Sequence, residues 1–516
     1  MEIKRIAVLV LVLGLIALPN AVVASVQGGD SSSKSPYAGL SDDDLLFALN
    51  VAMAGEDPAY CQEMLPLLRE MIKRGTFTGS VEKAGALTEV MCAREQRRWS
   101  DAYRLLLEAE KVGADDAGAL GFELALYVEK YEDALDRLLS IAAEDDPAEV
   151  MSVYVEDVLF LKSMLSKDGP AGAEERMLQG LFDSPHFSEF SPRIQQPIAY
   201  SMLEMDAEKG RIEGAAGRLT YVKNPLTYIY LLSDRKFAPI WPMLEASVGP
   251  NLSAVSKAYV DETARRHAGN PSDDYAVQEY AHALLYAGRF EEVVALVDVK
   301  DVTNMTEQQG WALNVKAYAL DALGRSAEAD AIFDSIAAIP YKSGANDWLV
   351  SFTINRAYRL SELGRFEAAL KANRLAESMP GSDFANMLTL AIKVCSLAGL
   401  DRRVGLKPLI QRVYDKRADS YANAAMAMLC VNEVDMAASI VREALADPES
   451  SGDMAKELQR PEFNLFYTRG ALPVLYDALH DRPDIRAALN KAGQFIPDAY
   501  IPEAGLRRMK IELSGE

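Results

Sequence analysis

One motif, written three times around a glycine, restricts the fold of this chain more than any other feature. Tyr280-Ala-His-Ala-Leu-Leu-Tyr-Ala-Gly-Arg-Phe-Glu-Glu-Val-Val294, Lys316-Ala-Tyr-Ala-Leu-Asp-Ala-Leu-Gly-Arg-Ser-Ala-Glu-Ala-Asp330 and Arg356-Ala-Tyr-Arg-Leu-Ser-Glu-Leu-Gly-Arg-Phe-Glu-Ala-Ala-Leu370 align on Gly288, Gly324 and Gly364, which lie 36 and 40 residues apart. Seven positions before each glycine stands an alanine (Ala281, Ala317, Ala357), and four before it a leucine (Leu284, Leu320, Leu360). That spacing puts both on one face of a helix that ends at the glycine. A second helix follows each turn. Helix pairs recurring at such a period cannot bury their apolar faces alone, so they must stack.

The rest of the chain agrees with a wholly helical fold. From residue 41 onward, apolar residues keep helical spacing, and no run alternates as a strand does. Leu349-Val-Ser-Phe-Thr-Ile354 is β-branched, but Asn355 to Leu360 continue it with a helical spacing. Ser41 precedes Asp42-Asp43-Asp44 as an expected N-cap, with acids at the positive end of the helix dipole. Ser80, after Gly79, is expected to cap another helix.

At this point the chain resembles the tetratricopeptide repeat family. That pattern has a small residue at position 8, Gly near 15, Ala at 20, an apolar residue at 24 and Pro near 32. Residues 310–343 carry Ala317, Gly324, Ala329, Phe333 and Pro340 in those places. Residues 350–383 carry Ala357, Gly364, Ala369 and Pro380, with Asn373 where an apolar residue belongs. Residues 274–307 have Val293 in place of Ala, and residues 418–448 have Ala425, Ala437, Val441 and Pro448 but Asn432 in place of Gly. Trp99-Ser-Asp-Ala102 and Tyr131-Glu-Asp-Ala134 look like the second-helix starts of two diverged repeats.

The resemblance implies an α-solenoid of antiparallel helix pairs wound into a right-handed superhelix. It further implies a concave face lined by the first helices, at repeat positions 2, 5, 9 and 12. Carried across, those positions are Tyr275, Gln278 and His282, then Trp311, Asn314 and Tyr318, then Tyr358. Rings with amides between them suit an extended peptide, because rings supply apolar area and amides pair with backbone groups. Ordinary packing between helices is the competing role for Tyr318 and Tyr358.

The expected organisation runs as follows. Residues 1–24 form a leader and 25–40 a Gly/Ser/Pro-rich tether. Diverged repeats occupy 41–150, an irregular aromatic-rich helical stretch 151–270, the repeat block 271–450 and capping helices 451–516. The leader has a basic start (Lys4, Arg5), thirteen apolar or Gly residues from Ile6 to Leu18, and Ala24 before an expected cleavage point. An uncleaved anchor is the other reading. Export to a bacterial periplasm or beyond permits disulfides. Cys61 and Cys92 are 31 residues apart, and Cys395 and Cys430 are 35 apart, each about one helix pair. Local bridges are expected, against four buried thiols as the alternative.

A formal net charge of −22 argues against nucleic acid as a partner. No phosphate-cradling motif, HExxH or GxSxG is present, and the four histidines (186, 267, 282 and 480) lack ligand spacing. Ser80-Val-Glu-Lys83 and Tyr421-Ala-Asn423 look like parts of a serine-enzyme set, but the K-T-G-like strand that completes it is missing. The expectation is therefore a non-enzymatic scaffold or adaptor without metal or cofactor, taking a protein or peptide partner. The aromatic stretch 182–241, as a site for a small apolar ligand or short peptide, is the second reading. An envelope enzyme is the third.

Overall fold

A computed structural model describes residues 35–53, 60–75, 79–114, 118–144, 150, 153–464 and 470–507 of the 516-residue chain. The expected leader and the first part of the tether lie outside the described residues. Among the described residues every regular element is a helix, and the one pairing of extended backbone is a bridge between Asp234 and Gly493. The chain is all-α. It divides into two compact units, Met1–Met202 and Leu203–Glu516, with the boundary inside the stretch 151–270.

Among the described residues the turn announced by the three glycines recurs beyond them, and several of its occurrences have no glycine. Arg97, Glu129, Gly288, Gly324, Gly364 and Asn432 all adopt a left-handed backbone, with φ between 54° and 73°. The next residue in each case (Arg98, Lys130, Arg289, Arg325, Arg365, Glu433) donates its N–H to the carbonyl five residues earlier (Ala93, Ala125, Leu284, Leu320, Leu360, Met428) at 2.8–2.9 Å. That bond satisfies a helix-end carbonyl that would otherwise have no partner, as in a Schellman cap. Five residues beyond each left-handed residue stands a fully buried small side chain: Ala102, Ala134, Val293, Ala329, Ala369 or Ala437. A small side chain there lets the second helix of each pair approach the first.

Left-handed backbone costs a non-glycine residue about 1–2 kcal/mol. Glycine in its place gives back roughly 0.5–1 kcal/mol through the freer unfolded chain. Glu129 is exposed, so Glu129→Gly is expected to stabilise the first unit by about 0.5–1 kcal/mol. Urea unfolding read on Trp99, the sole tryptophan of that unit, measures this. A lower midpoint would show that the side chain matters more than the backbone.

In the first unit, Ser41 caps the helix Asp42–Met53. Its Oγ accepts from the Asp44 N–H at 3.2 Å, and the Asp44 carboxylate accepts from the Ser41 N–H at 3.3 Å. Ser80 departs from expectation. It is the first helical residue of Ser80–Glu95, and Gly79 holds the cap position with no side-chain bond. The reason is the left-handed Gly79 (φ 73°), which turns the chain one residue earlier than a serine cap would. The pairs Ser80–Glu95 with Trp99–Lys111 and Gly118–Tyr127 with Tyr131–Ala143 follow. Trp99 stacks on Tyr127 at 4.3 Å between ring centroids, tying one pair to the next. Cys61 is bonded to Cys92.

In the second unit, first helices pack on first helices: Asp274–Tyr286 on Glu307–Ala322, Trp348–Glu362 on Asp383–Gly399, and Asp383–Gly399 on Tyr421–Cys430. Leu349 to Ile354 lie within a helix, so packing overrides their β-propensity. Cys395 is bonded to Cys430 across the last of these contacts. Helices Glu307–Ala322 and Trp348–Glu362 meet through side chains. The Trp348 ring lies over Gly310, where an added Cβ would come within 2.7 Å of it. Arg359 reaches back to Asp321 with two bonds of 2.6 and 2.7 Å, and to Asp330 at 2.6 Å.

The end of the chain returns to the beginning of this unit. Beyond the short helices Leu475–Leu479 and Pro483–Ala492, residues 493–507 form a strap that is non-helical over 493–497 and then turns through the short helices Asp498–Tyr500 and Glu503–Arg507. Gln494 donates its backbone N–H to Ser233 O (3.0 Å) and its side-chain amide to Leu232 O (2.9 Å). Asn251 donates to Ile501 O at 2.8 Å. Ala504 packs against Gly288, in one core with Tyr259, Leu284 and Phe333.

Candidate functional site

The expected groove begins where two first helices are tied at their N-termini. Asp273 caps Asp274–Tyr286 by accepting the Tyr275 N–H. The carboxylate of Asp274 then accepts from Thr306 Oγ1 at 2.8 Å and from Gln309 Nε2 at 3.0 Å. Thr306 and Gln309 are also the two halves of a capping box on Glu307–Ala322. One carboxylate thus fixes the relative height of the two helices and of every side chain they present.

Tyr275, Gln278 and His282 follow one of these helices and Trp311, Asn314 and Tyr318 the other; the two helices pack side by side. Tyr275 and Gln278 are half-buried. Trp311 is half-buried, and its indole N–H donates to Glu307 Oε1 at 3.0 Å. Asn314 is only 6 % exposed, and its Oδ1 is buried with no hydrogen-bond partner among the described residues. Tyr318 packs against the core that holds Ala317, Leu320 and Phe333. Tyr358 packs against two apolar clusters, around Leu390 and around Ile354. Both tyrosines are part of the packing of the repeats.

His282 is half-buried, with its ring 6.0 Å from that of Tyr286. Burial pushes its pKa down to about 4. The unfolded chain binds a proton there at the ordinary value near 6.5, and the folded chain does not until about 4. Stability must then fall as the pH drops through this window, because the unfolded state takes up the proton first. His282→Gln is expected to flatten the 6.5-to-4 part of a stability–pH profile. An unchanged slope would remove His282 from the acid response.

No protein-family model matches the chain, and no curated protein matches it. The site must be read from its own residues.

The serine-enzyme pieces do not share a unit: Ser80 and Lys83 belong to the first, Tyr421 and Asn423 to the second. Asn423 donates to Ser420 Oγ at 2.9 Å, within its own helix start. Among the described residues, no group of three or more His, Cys, Asp or Glu stands close enough to hold a metal ion. No helix among them is long and apolar enough to cross a membrane. The aromatics of 182–241 are divided between the units. Phe187 and Phe190 are buried in the first with rings 5.6 Å apart. In the second, Phe237 is fully buried, and the Tyr228 hydroxyl donates to Val222 O and the Trp241 indole to Leu231 O, at 3.2 and 3.0 Å.

Two polar residues whose structural work sequence reasoning did not find are Asn251, read there only as part of a chance glycosylation triplet, and Gln459. Asn251 stands in a sequence that reads as a glycosylation triplet (Asn251-Leu-Ser253), but its amide is engaged with the strap. Gln459 is buried, and its amide both donates to and accepts from strap backbone. A lone Gln or Asn has no sequence signature for such work.

Proposed function

We propose that this chain is an exported, non-enzymatic scaffold of the tetratricopeptide type, which takes a protein or peptide segment on its first helices. The observation that carries the reading is the pairing of Trp311 with Asn314. A half-buried indole lies one helical turn from a buried amide oxygen without a partner. Leaving a buried acceptor unsatisfied costs about 1–3 kcal/mol. A backbone N–H of a bound segment would satisfy it once the side chains that cover it move aside, while the indole supplies apolar contact. The two disulfides fit a compartment outside the cytoplasm, as does the leader read at residues 1–24.

The test uses the mature chain to capture its partner from an envelope extract, with and without Trp311→Ala and Asn314→Ala together. Capture is expected to fall at least tenfold while helical circular dichroism and the thermal midpoint stay close to wild type. Undiminished capture by the folded double variant would sink this site.

A further inference from the structure

The loop between Asp383–Gly399 and Leu406–Asp415 is exposed at every residue from Asp401 to Gly405. Val404 is 97 % exposed, and the Arg403 side chain 90 %. The loop begins like the other turns, with a left-handed Asp401 and the Arg402 N–H donating to Leu397 O at 2.9 Å. Arg403, Val404 and Gly405 then intervene before the next helix. Arg403 meets the Asp401 carboxylate, itself 83 % exposed, so water screens the pair. Among the described residues, no hydrogen bond engages the Val404 N–H. Gly405 (φ 82°) holds the cap position of the next helix without a side-chain bond. That helix is weakly anchored. It buries Leu406 and Val413 and covers Leu409, Ile410 and Tyr414 in part, whereas Val434–Ala446 buries Ala437, Ala438, Ile440, Val441, Ala444 and Leu445. The loop and the first turn after it can therefore open locally at little cost.

We infer that Arg402-Arg403-Val404 is a processing site, cut after Arg403 by an endopeptidase whose specificity pocket holds an arginine side chain with a carboxylate. In the cut the C–N bond between Arg403 and Val404 breaks. Water supplies a hydroxyl to the Arg403 carbonyl carbon and a proton to the Val404 nitrogen. Such an enzyme acts on the locally opened chain, which this loop offers. Another arginine pair, Arg97-Arg98, is worse placed. Trp99 follows it directly, stacked on Tyr127, and opens a helix that buries Ala102, Leu106 and Ala109. The fold also sets the fate of the product. Cys395 and Cys430 stand on opposite sides of the cut, on helices that pack together. Leu390 and Val394 before it share one core with Ala424, Met428 and Val441 after it. The disulfide therefore replaces the severed backbone as the covalent link, and cleavage yields a folded protein of two joined chains. This role goes beyond the binding of a segment and does not rest on Trp311 or Asn314.

The test treats the oxidised chain briefly with a low proportion of trypsin. One early cut is expected, and mass spectrometry after reduction should find a piece that begins Val404-Gly405-Leu406. Without reductant the mass should rise only by that of one water. Arg402→Gln with Arg403→Gln should slow the cut at least tenfold at an unchanged thermal midpoint. The nicked, oxidised chain should keep its helical circular dichroism. Once dithiothreitol is added, its thermal midpoint should fall on dilution, because pieces held by packing alone come apart by mass action. The uncut chain in dithiothreitol should show no such dependence. First cuts after Arg98, or at several sites together, would overturn the site. Loss of the helical signal in the nicked, oxidised chain would overturn the joined product. Protein extracted from the source cells and then reduced should contain the piece that begins at Val404. Finding the 403–404 bond intact in all of it would overturn the processing role.

Discussion

Replacing Arg359 with leucine is expected to destabilise the second unit by about 3–5 kcal/mol, the range for breaking a buried ion pair from one side. Arg359 and Asp321 are each 2 % exposed. Their bidentate contact leaves neither group to water, and Asp330 accepts a further bond from the same guanidinium. The carboxylates hold Arg359 firmly charged, its pKa raised despite the opposing effect of burial. Arg365 shares Asp330, at 2.6 Å, so that carboxylate keeps a cation when Arg359 is lost. Asp321 does not, which is why the cost concentrates there. Arg359→Leu with Asp321→Leu should therefore recover a large part of the loss. Three of the four tryptophans lie in this unit, so urea unfolding followed by their fluorescence reports on it. A single variant that costs less than about 1 kcal/mol would mean that water replaces the guanidinium.

Opening the Cys395–Cys430 bond is expected to cost about 3–4 kcal/mol, from the freedom that a 35-residue loop regains in the unfolded chain. The bond joins two adjacent first helices and so holds the repeat stack to the helices that close it. Thermal unfolding with and without dithiothreitol, and of a variant carrying Cys395→Ser and Cys430→Ser, measures the effect. The variant should match the reduced wild type once Cys61–Cys92 is treated in the same way. A midpoint that ignores reductant would mean that packing of Leu390, Ala424 and Val441 alone holds these helices.

The parts of the fold that are local were legible in the sequence. Gly288, Gly324 and Gly364 mark turns because a left-handed residue is needed there and glycine supplies it without strain. Ala281, Ala317 and Ala357 mark close approach because a larger side chain does not fit a fully buried contact. Arg97 and Glu129 make the same turn with no such mark, since tertiary packing carries the strain that their residue types would avoid. The groove was harder. A repeat template assigns Tyr318 and Tyr358 to a face, but whether a ring faces solvent or a neighbour depends on helices it never names. The strap was not legible at all. Asn251 and Ile501 are 250 residues apart, and no period or propensity connects them.

That separation bears on how the second unit is made. In an ordinary repeat array each pair depends on its neighbours, and folding can begin anywhere and spread. Here the surface around Leu232, Ser233 and Asn251 acquires its covering from residues 494–504. A chain emerging N-terminus first must hold that surface uncovered until residues 494–504 have arrived. Long-range closure of this kind is slow, and exposed apolar surface invites wrong association meanwhile. Folding of the unit is thus coupled to delivery of residues 494–504, and a polypeptide halted short of Gln494 would carry an unfinished beginning.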